Sequence, residues 1–444
     1  MKKKLALYLV SAVLLLANHS CGFDEAESVT LSPYAMLQSF KIGNIRSNYP
    51  TFTSEGEDTI EAKTISGSSF PFTINQMSGE VFNVDSLPYA TSLEKLVIKT
   101  SLSGYAKLYV DSLDSYEFFS DSDSLDFTTP RKMRVTSADG NYVRDYTVTV
   151  NVHRVDPELM EWNSYEALDA FTPSRVVEFN GGMCVFGNVG GQMSVALSPL
   201  AGVPEWNVQS LVGLPSAANL STVHSFNGVL FVVAGDGLYK SADAITWELA
   251  YAAEGLLAIV VASDDSGEMV VATANGLLCT NDGSSFTAAG DVPAGFPLYG
   301  VSIASYPLNH NSNFVRYMLV GYTAATMDGA PVVWSKLSTE EGWSKYENEG
   351  NPFPCPALEG LSVVRYDKFL YAMGGNFKSF YISRDNGITW KEPDGFYQRL
   401  PKPLIGEKLP FVVTVDSNNV MWMVTAGSKP AVWKGILNRL GFAK

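Results

Sequence analysis

Histidine and cysteine are scarce, at four residues each in a chain of 444. His19 belongs to an N-terminal leader, and His153, His224 and His310 stand singly. A histidine-built metal centre or a Ser/His/Asp triad would have to recruit them one at a time, so neither is expected. Setting Cys21 aside, Cys184, Cys279 and Cys355 follow the spacing of neither a zinc module nor a disulfide framework, and no metal or other cofactor is expected. Cys184 in GGMCVFG and Cys279 in GLLCTND read as small buried fillers of apolar strands. Positive charge is also short, with 31 Lys and Arg against 46 Asp and Glu. The net charge of −15 would repel nucleic acid and anionic membrane surfaces, and it serves solubility. The N-terminal apolar run, LALYLVSAVLLLA (Leu5 to Ala17), falls short of the roughly 20 residues that a spanning helix needs.

That run has the form of an export signal: MKKK supplies a positive flank and the run ends in NHSCG. Ser20 before Cys21 and Gly22 after it resemble the lipobox at which bacterial lipoproteins are cleaved and acylated on cysteine. Asn18 stands where that motif usually has an aliphatic residue, which leaves ordinary signal cleavage nearby open. The resemblance implies a signal peptide over 1–20, a lipid on Cys21 as the link to a membrane, and a tether over 21–30. FDEAE after Cys21 resembles the acidic export signal with which some gut-commensal Gram-negative bacteria turn lipoproteins outward. An outer-membrane lipoprotein is implied, facing outward or into the periplasm.

The remainder is globular, because 46% hydrophobic and 12% aromatic residues supply cores for two or three domains. Residues 31–155 read as a β domain. In KMRVT-SADGN-YVRDYTVTVNV, Tyr146, Val148, Val150 and Val152 share one face, and Asp139-Gly140 supplies the positive-φ turn of a hairpin. LEKLVIKT and YAKLYV alternate similarly, and an immunoglobulin-like sandwich is the economical fold. DSLDSYEFFSDSDSLDF (111–127) brings Asp121, Asp123 and Asp126 close in sequence. It lacks the central glycine and terminal glutamate of a calcium loop, so it reads as an acidic surface loop. Thr59, Ser86, Ser112 and Ser124 each follow an aspartate and precede an aliphatic residue, which resembles the O-glycosylation sequon of the same bacteria. DPEL around Pro157 reads as a linker.

Residues 156–444 are repetitive. SRDNGITW (383–390) has worn copies in SADAITW (241–247), TNDGSSF (280–286), STEEGW (338–343) and SPLAGVPEW (198–206). Their aromatic ends, with Trp162 in LMEWNS, recur at roughly the 40 to 50 residues of a four-stranded propeller blade. One longer interval, before Trp343, holds the loops LNHNSN and TAATMDG. Before each octet come strand, FNG or an equivalent turn, second strand, glycine and third strand, as in VHSFNGVLFVVAGDGLYKS. Inner strands should begin near Arg175, Leu220, Leu256, Leu298, Leu361 and Pro410. That makes six blades, all-β like the domain before them. Residues 159–165 should add the outer strand of the last blade, the rival being GILNRLGF.

SxDxGxTW resembles the Asp box of sialidase-type propellers, a fold staple at the rim. Matching positions are Ser241, Asp243 and Trp247, then Asp282, Gly283 and Phe286, then Ser383, Asp385, Gly387 and Trp390. In such a box the carboxylate accepts turn amides, glycine takes a φ that a Cβ forbids, and the aromatic ring packs between sheets. The whole plan is similar to that of two-domain surface lipoproteins of unknown function from gut-commensal bacteria.

Sialidases hold a substrate carboxylate with three arginines and use a Tyr/Glu nucleophile with an Asp acid. Arg175, Arg316, Arg365, Arg384, Arg399 and Arg439 are present here, yet no RIP-like motif precedes the first box. Glu254, Glu359 and Glu407 enter three inner strands at the same place, toward the axial mouth where ligands usually bind, and could gather a cation or act as acid and base. Alternatively they are exposed loop acids that never converge. The expectation is a non-catalytic binding or scaffold module with a glycan or protein at the propeller face. A glycoside hydrolase with axial carboxylates and a structural subunit of a surface complex are the alternatives.

Overall fold

The computed structural model describes residues 31–52, 58–393 and 399–441; Cys21 and the leader lie outside them. The chain divides between Asp156 and Pro157 into two compact units.

In the first unit, the hairpin read from the sequence forms. Arg131–Ser137 pairs antiparallel with Val143–Thr149, and Gly140 turns the chain at φ +77°. Tyr146, Val148 and Val150 are buried on one face. Gly104–Val110 and Ser115–Phe118 extend this sheet on one side. On the other side Glu80–Asn83 joins Val143–Thr149 in parallel, followed by Phe72–Asn75, giving six strands. Leu37–Ile42 pairs with Ile98–Leu102, and its Leu37, Phe40 and Ile42 share one core with Val81, Met133, Val135 and Tyr146. The long hairpin of Asn44–Phe52 and Asp58–Ser66 forms a separate two-stranded sheet. In the acidic stretch, Asp123 accepts from the Ser120 amide at 2.8 Å and Asp126 from the Thr128 amide at 2.8 Å. These are turn bonds.

The second unit contains six antiparallel sheets among the described residues. Their inner strands are Phe171–Phe179, Asn219–Phe226, Leu256–Ser263, Tyr299–Leu308, Ser362–Tyr366 and Phe411–Val415, numbered here as sheets 1 to 6. Each inner strand neighbours the next, and that of sheet 6 neighbours that of sheet 1, so the ring closes. The FNG turns lie between first and second strands because both central residues need positive φ: Asn180 and Gly181 take +50° and +71°. Sheet 5 makes the same turn with Asp367 and Lys368, at +48° and +70°.

Six hydrophobic clusters hold the ring, one in each gap between neighbouring sheets. A sheet buried on both faces needs near-continuous apolar second strands, as VLFVVA and MWMVT supply. The recurring aromatics fill these gaps. Trp247 meets Phe186 of sheet 1 at 5.9 Å, Phe286 meets Tyr251 of sheet 2 at 4.5 Å, and Trp206 meets Trp422 of sheet 6 at 6.4 Å. Trp343 lies 5.3 Å from Phe296, and Trp390 is buried with Met318 and Val333 of sheet 4.

The octets themselves are satisfied turns. Asp385 accepts the Thr389 amide at 2.8 Å and its hydroxyl at 2.7 Å, while Ser383 Oγ accepts the Gly387 amide at 2.7 Å. Asp243 accepts the amides of Ile245 and Thr246 at 2.8 and 2.7 Å, and Asp282 those of Ser284 and Ser285, both at 2.8 Å. These bonds hold all three carboxyls below the usual carboxylate range. A Cβ on Gly387, at φ +91°, would stand 2.9 Å from Met318 Cε of the preceding sheet. Each octet therefore pins its own sheet to the one before.

Sheets 1 to 4 have four strands and sheet 5 has three among the described residues. Sheet 6 takes its fourth from Met160–Tyr165, paired antiparallel with Ala431–Leu437 from Met160↔Leu437 to Tyr165↔Val432. The segment 159–165 thus supplies the closing strand. GILNRLGF does not: its first three residues already belong to Ala431–Leu437, and Asn438–Gly441 is a helical turn. DPEL is not a free linker on its C-terminal side, because the Pro157 carbonyl accepts the Arg439 amide and Glu158 pairs with the Arg439 guanidinium at 2.7 Å.

Deleting 159–165 removes buried Met160 and half-buried Trp162 and bares a strand edge. The expected loss of several kcal/mol lowers Tm by more than about 5 °C in calorimetry; an unchanged Tm would contradict the closure. Gly387→Ala is expected to cost about 1–3 kcal/mol in urea unfolding, from the positive φ and the Met318 contact.

Candidate functional site

The six inner strands enclose a cavity of about 830 Å³ that opens along the ring axis. Its wall is mostly aliphatic side chains and small hydroxyls, among them Ser221, Ser302, Ser305, Ser362 and Thr414. Two cations interrupt it, Arg175 of sheet 1 and Arg365 of sheet 5. No Asp or Glu belongs to the wall among the described residues.

Local irregularity aims these strands. The pairing of inner with second strand shifts register between Pro173 and Arg175 in sheet 1, and comparable shifts interrupt sheets 2, 3 and 4. Such bulges re-aim side chains beside sites, and break the two-residue alternation that would reveal facing from sequence.

Arg175 Nη2 donates to His224 Nε2 at 2.9 Å. His224 Nδ1 donates to the Thr222 carbonyl at 2.9 Å, which fixes the tautomer and leaves Nε2 as the acceptor. Burial, reinforced by the adjacent guanidinium, pushes the imidazole down to about 3. Burial also pushes Arg175 down to about 10, still a cation at neutral pH. In sheet 5, the Arg365 guanidinium lies 4.0 Å over the Tyr306 ring. Burial lowers Arg365, partly opposed by Tyr306 and Asp265. Tyr306, pushed up to about 12 by burial, donates to Asn386 Oδ1 of the sheet 5 octet at 2.8 Å. Neither Arg175 nor Arg365 forms an ion pair among the described residues, and the Nε atoms of both are buried without a hydrogen-bond partner.

The other propeller arginines are used elsewhere. Arg316 bonds Ser335 at 2.9 Å, Arg384 lies 4.6 Å over Phe369, and Arg439 pairs with Glu158 and Asp367. The Arg399 carbonyl accepts Trp162 Nε1 at 2.7 Å. Glu254, Glu359 and Glu407 precede three inner strands at one end of the ring, but none belongs to the cavity wall. Glu359 pairs with Lys408 at 3.1 Å, both exposed, and Glu407 accepts from Ser428 at 3.1 Å. Thr59, Ser112 and Ser124 are exposed and Ser86 is half-buried. Cys184 is buried, its thiol pushed up to about 12; Cys279, expected to be buried, is half-buried beside Thr287. His224 was legible only as a lone histidine. The available signal was a charged or titratable residue inside an otherwise apolar inner strand, as in PSRVVEF and STVHSF.

Closed rings of radially packed antiparallel sheets define a β-propeller, here preceded by a separate β unit. The chain belongs to the DUF6242 beta propeller domain family, which matches over residues 156–444. The DUF6242 N-terminal domain, itself of unknown function, matches over 40–150. No curated protein matches the sequence. Among solved structures, an arabinobiose complex of α-L-arabinanase from Penicillium chrysogenum is similar at 12% identity, covering 62% of this chain and 99% of that one, with a TM-score of 0.40. A family AA12 carbohydrate-active enzyme from Trichoderma reesei is similar at 10% identity, covering 63% and 96%, with a TM-score of 0.39. A virginiamycin B lyase variant from Staphylococcus aureus bound to quinupristin follows at 10%, covering 63% and 99%, with a TM-score of 0.38.

The buried neutral histidine couples stability to acid. Its unfolded pKa is near 6.5 and its folded value about 3, so the unfolded chain binds the extra proton between them. Stability is full above about pH 6.5 and falls as pH drops, by up to about 1.4 kcal/mol per unit. The octet carboxylates, with lowered pKa values, act below about pH 4. His224→Gln, which keeps an acceptor for Arg175, is expected to flatten the decline in urea-unfolding stability between pH 6 and 4.5 by about one proton.

Proposed function

We propose that the chain is a surface-tethered, non-catalytic binding module. In this reading the lipid on Cys21 anchors it in an outer membrane, facing outward or into the periplasm. An Ig-like first domain acts as a spacer, and six blades stapled by Asp boxes present the axial cavity to a glycan. The O-glycosylation reading of Thr59, Ser86, Ser112 and Ser124 belongs to the same picture, as sugars on the spacer.

The observation that carries the proposal is the cavity wall. It is large enough for a short saccharide and bears small hydroxyls and two guanidiniums, which suit hydrogen bonding to a polyol. Glycoside hydrolysis needs two carboxyl groups flanking the scissile bond, and the described wall has neither Asp nor Glu. Glu254, Glu359 and Glu407 are kept as ligand contacts at the mouth, where three inner strands begin.

The mature protein on a glycan array and a fluorogenic-glycoside panel is expected to retain ligand without turnover. Ser305→Trp, which fills the cavity, is expected to weaken retention at least tenfold. Turnover that disappears in the Glu254/Glu359/Glu407→Ala variant would establish the hydrolase instead. Retention of nothing, with the fold intact by circular dichroism, would leave a structural subunit.

A further inference from the structure

Arg175 and Arg365 line one cavity of a protein whose net charge is −15, and neither forms an ion pair among the described residues. Arg134 and Arg439, by contrast, have acids beside them. Arg175 has a neutral imidazole and Arg365 has an aromatic face. The unbonded Nε of each is buried behind the wall, so the donors that these guanidiniums can offer a ligand are their terminal N–H groups.

Resting on the cavity as the binding site, we infer that its ligand carries an oxyanion, a carboxylate or sulfate ester on a short saccharide, received by Arg175 and Arg365. Both guanidiniums are pre-oriented. The doubly fixed imidazole of His224 holds one end of Arg175 through an uncharged contact, so the positive charge is steered without being neutralised. A carboxylate in that place would have closed the pair and cancelled the field. Tyr306, itself fixed by Asn386, gives Arg365 a flat support that leaves the guanidinium edge open. The hydroxyls around them can take the neutral part of the sugar, and the acidic exterior disfavours nonspecific capture of polyanions.

Isothermal titration of the mature protein with tri-galacturonic acid, its methyl ester and a sulfated trisaccharide of similar size tests this. The acid, or the sulfated sugar if sulfate is the natural group, is expected to bind at least tenfold more tightly than the neutral ester. Raising salt from 50 to 500 mM should weaken it severalfold. Arg175→Gln and Arg365→Gln should each lower that affinity at least tenfold, with the ester unaffected. Arg175→Lys, which keeps the charge but not the fork, should fall between. Thermal melts of each variant separate lost binding from lost fold, and Arg365→Gln serves if Arg175→Gln does not fold. Equal affinity for acid, sulfate and ester, unmoved by the arginine variants, overturns the oxyanion inference and leaves the binding module standing. Failure of every saccharide to bind overturns both.

Discussion

Apolar contact between neighbouring sheets is the constraint on which the second unit depends. Each sheet is greasy on both faces, and only a closed ring buries both faces of all of them. The repeating aromatics lie in the gap to the preceding sheet, so each repeat needs its neighbour to be stable. The satisfied aspartate turns matter through this packing. Ser383, Asp385 and Gly387 fix a turn so tight that a Met318 methyl and Val333 lie against it, and the indole of Trp390 follows into the gap. The same turn reaches the axis through Asn386 and Tyr306 to Arg365. In sheet 5 the octet turn and the cavity wall are thus connected.

The electrostatics invert from outside to inside. Carboxylates dominate the surface, and those in turns are already engaged by backbone amides. At the axis the charged groups are guanidiniums, and His224 beside Arg175 is held neutral by burial and by the cation it supports. A neutral acceptor orients Arg175 without cancelling its charge.

Much of the ring was legible in the sequence because its signals are local. Asn-Gly turns, the acid-glycine-aromatic octets and alternating strands each specify their own geometry within a few residues. The closing strand was legible for a different reason: Trp162 was an aromatic without a repeat, and the last repeat lacked its own. The cavity was not legible. Arg175, His224 and Arg365 are separated by many residues and come to line one cavity only when the sheets form the ring, while bulges in the inner strands displace the alternation that reports facing. Glu254, Glu359 and Glu407 show the converse. Equivalent places in successive repeats put them at one end of the ring, and yet the wall is made by residues further along the strands. Spacing fixed the elements, while facing depended on strand irregularities that spacing does not encode.

The closing strand also determines how the ring meets mechanical load. Tension arriving from residues before Pro157 enters at Met160, the end of the strand paired with Leu437. Pulled from that end, an antiparallel pair opens one rung at a time, which is its weak direction. Arg439 sits at this first rung, joined to Glu158 on the loaded segment and to Asp367 in sheet 5. A pull on the incoming segment therefore strains the Arg439 ion pairs to Glu158 and Asp367 as well as the first rung of the closing strand.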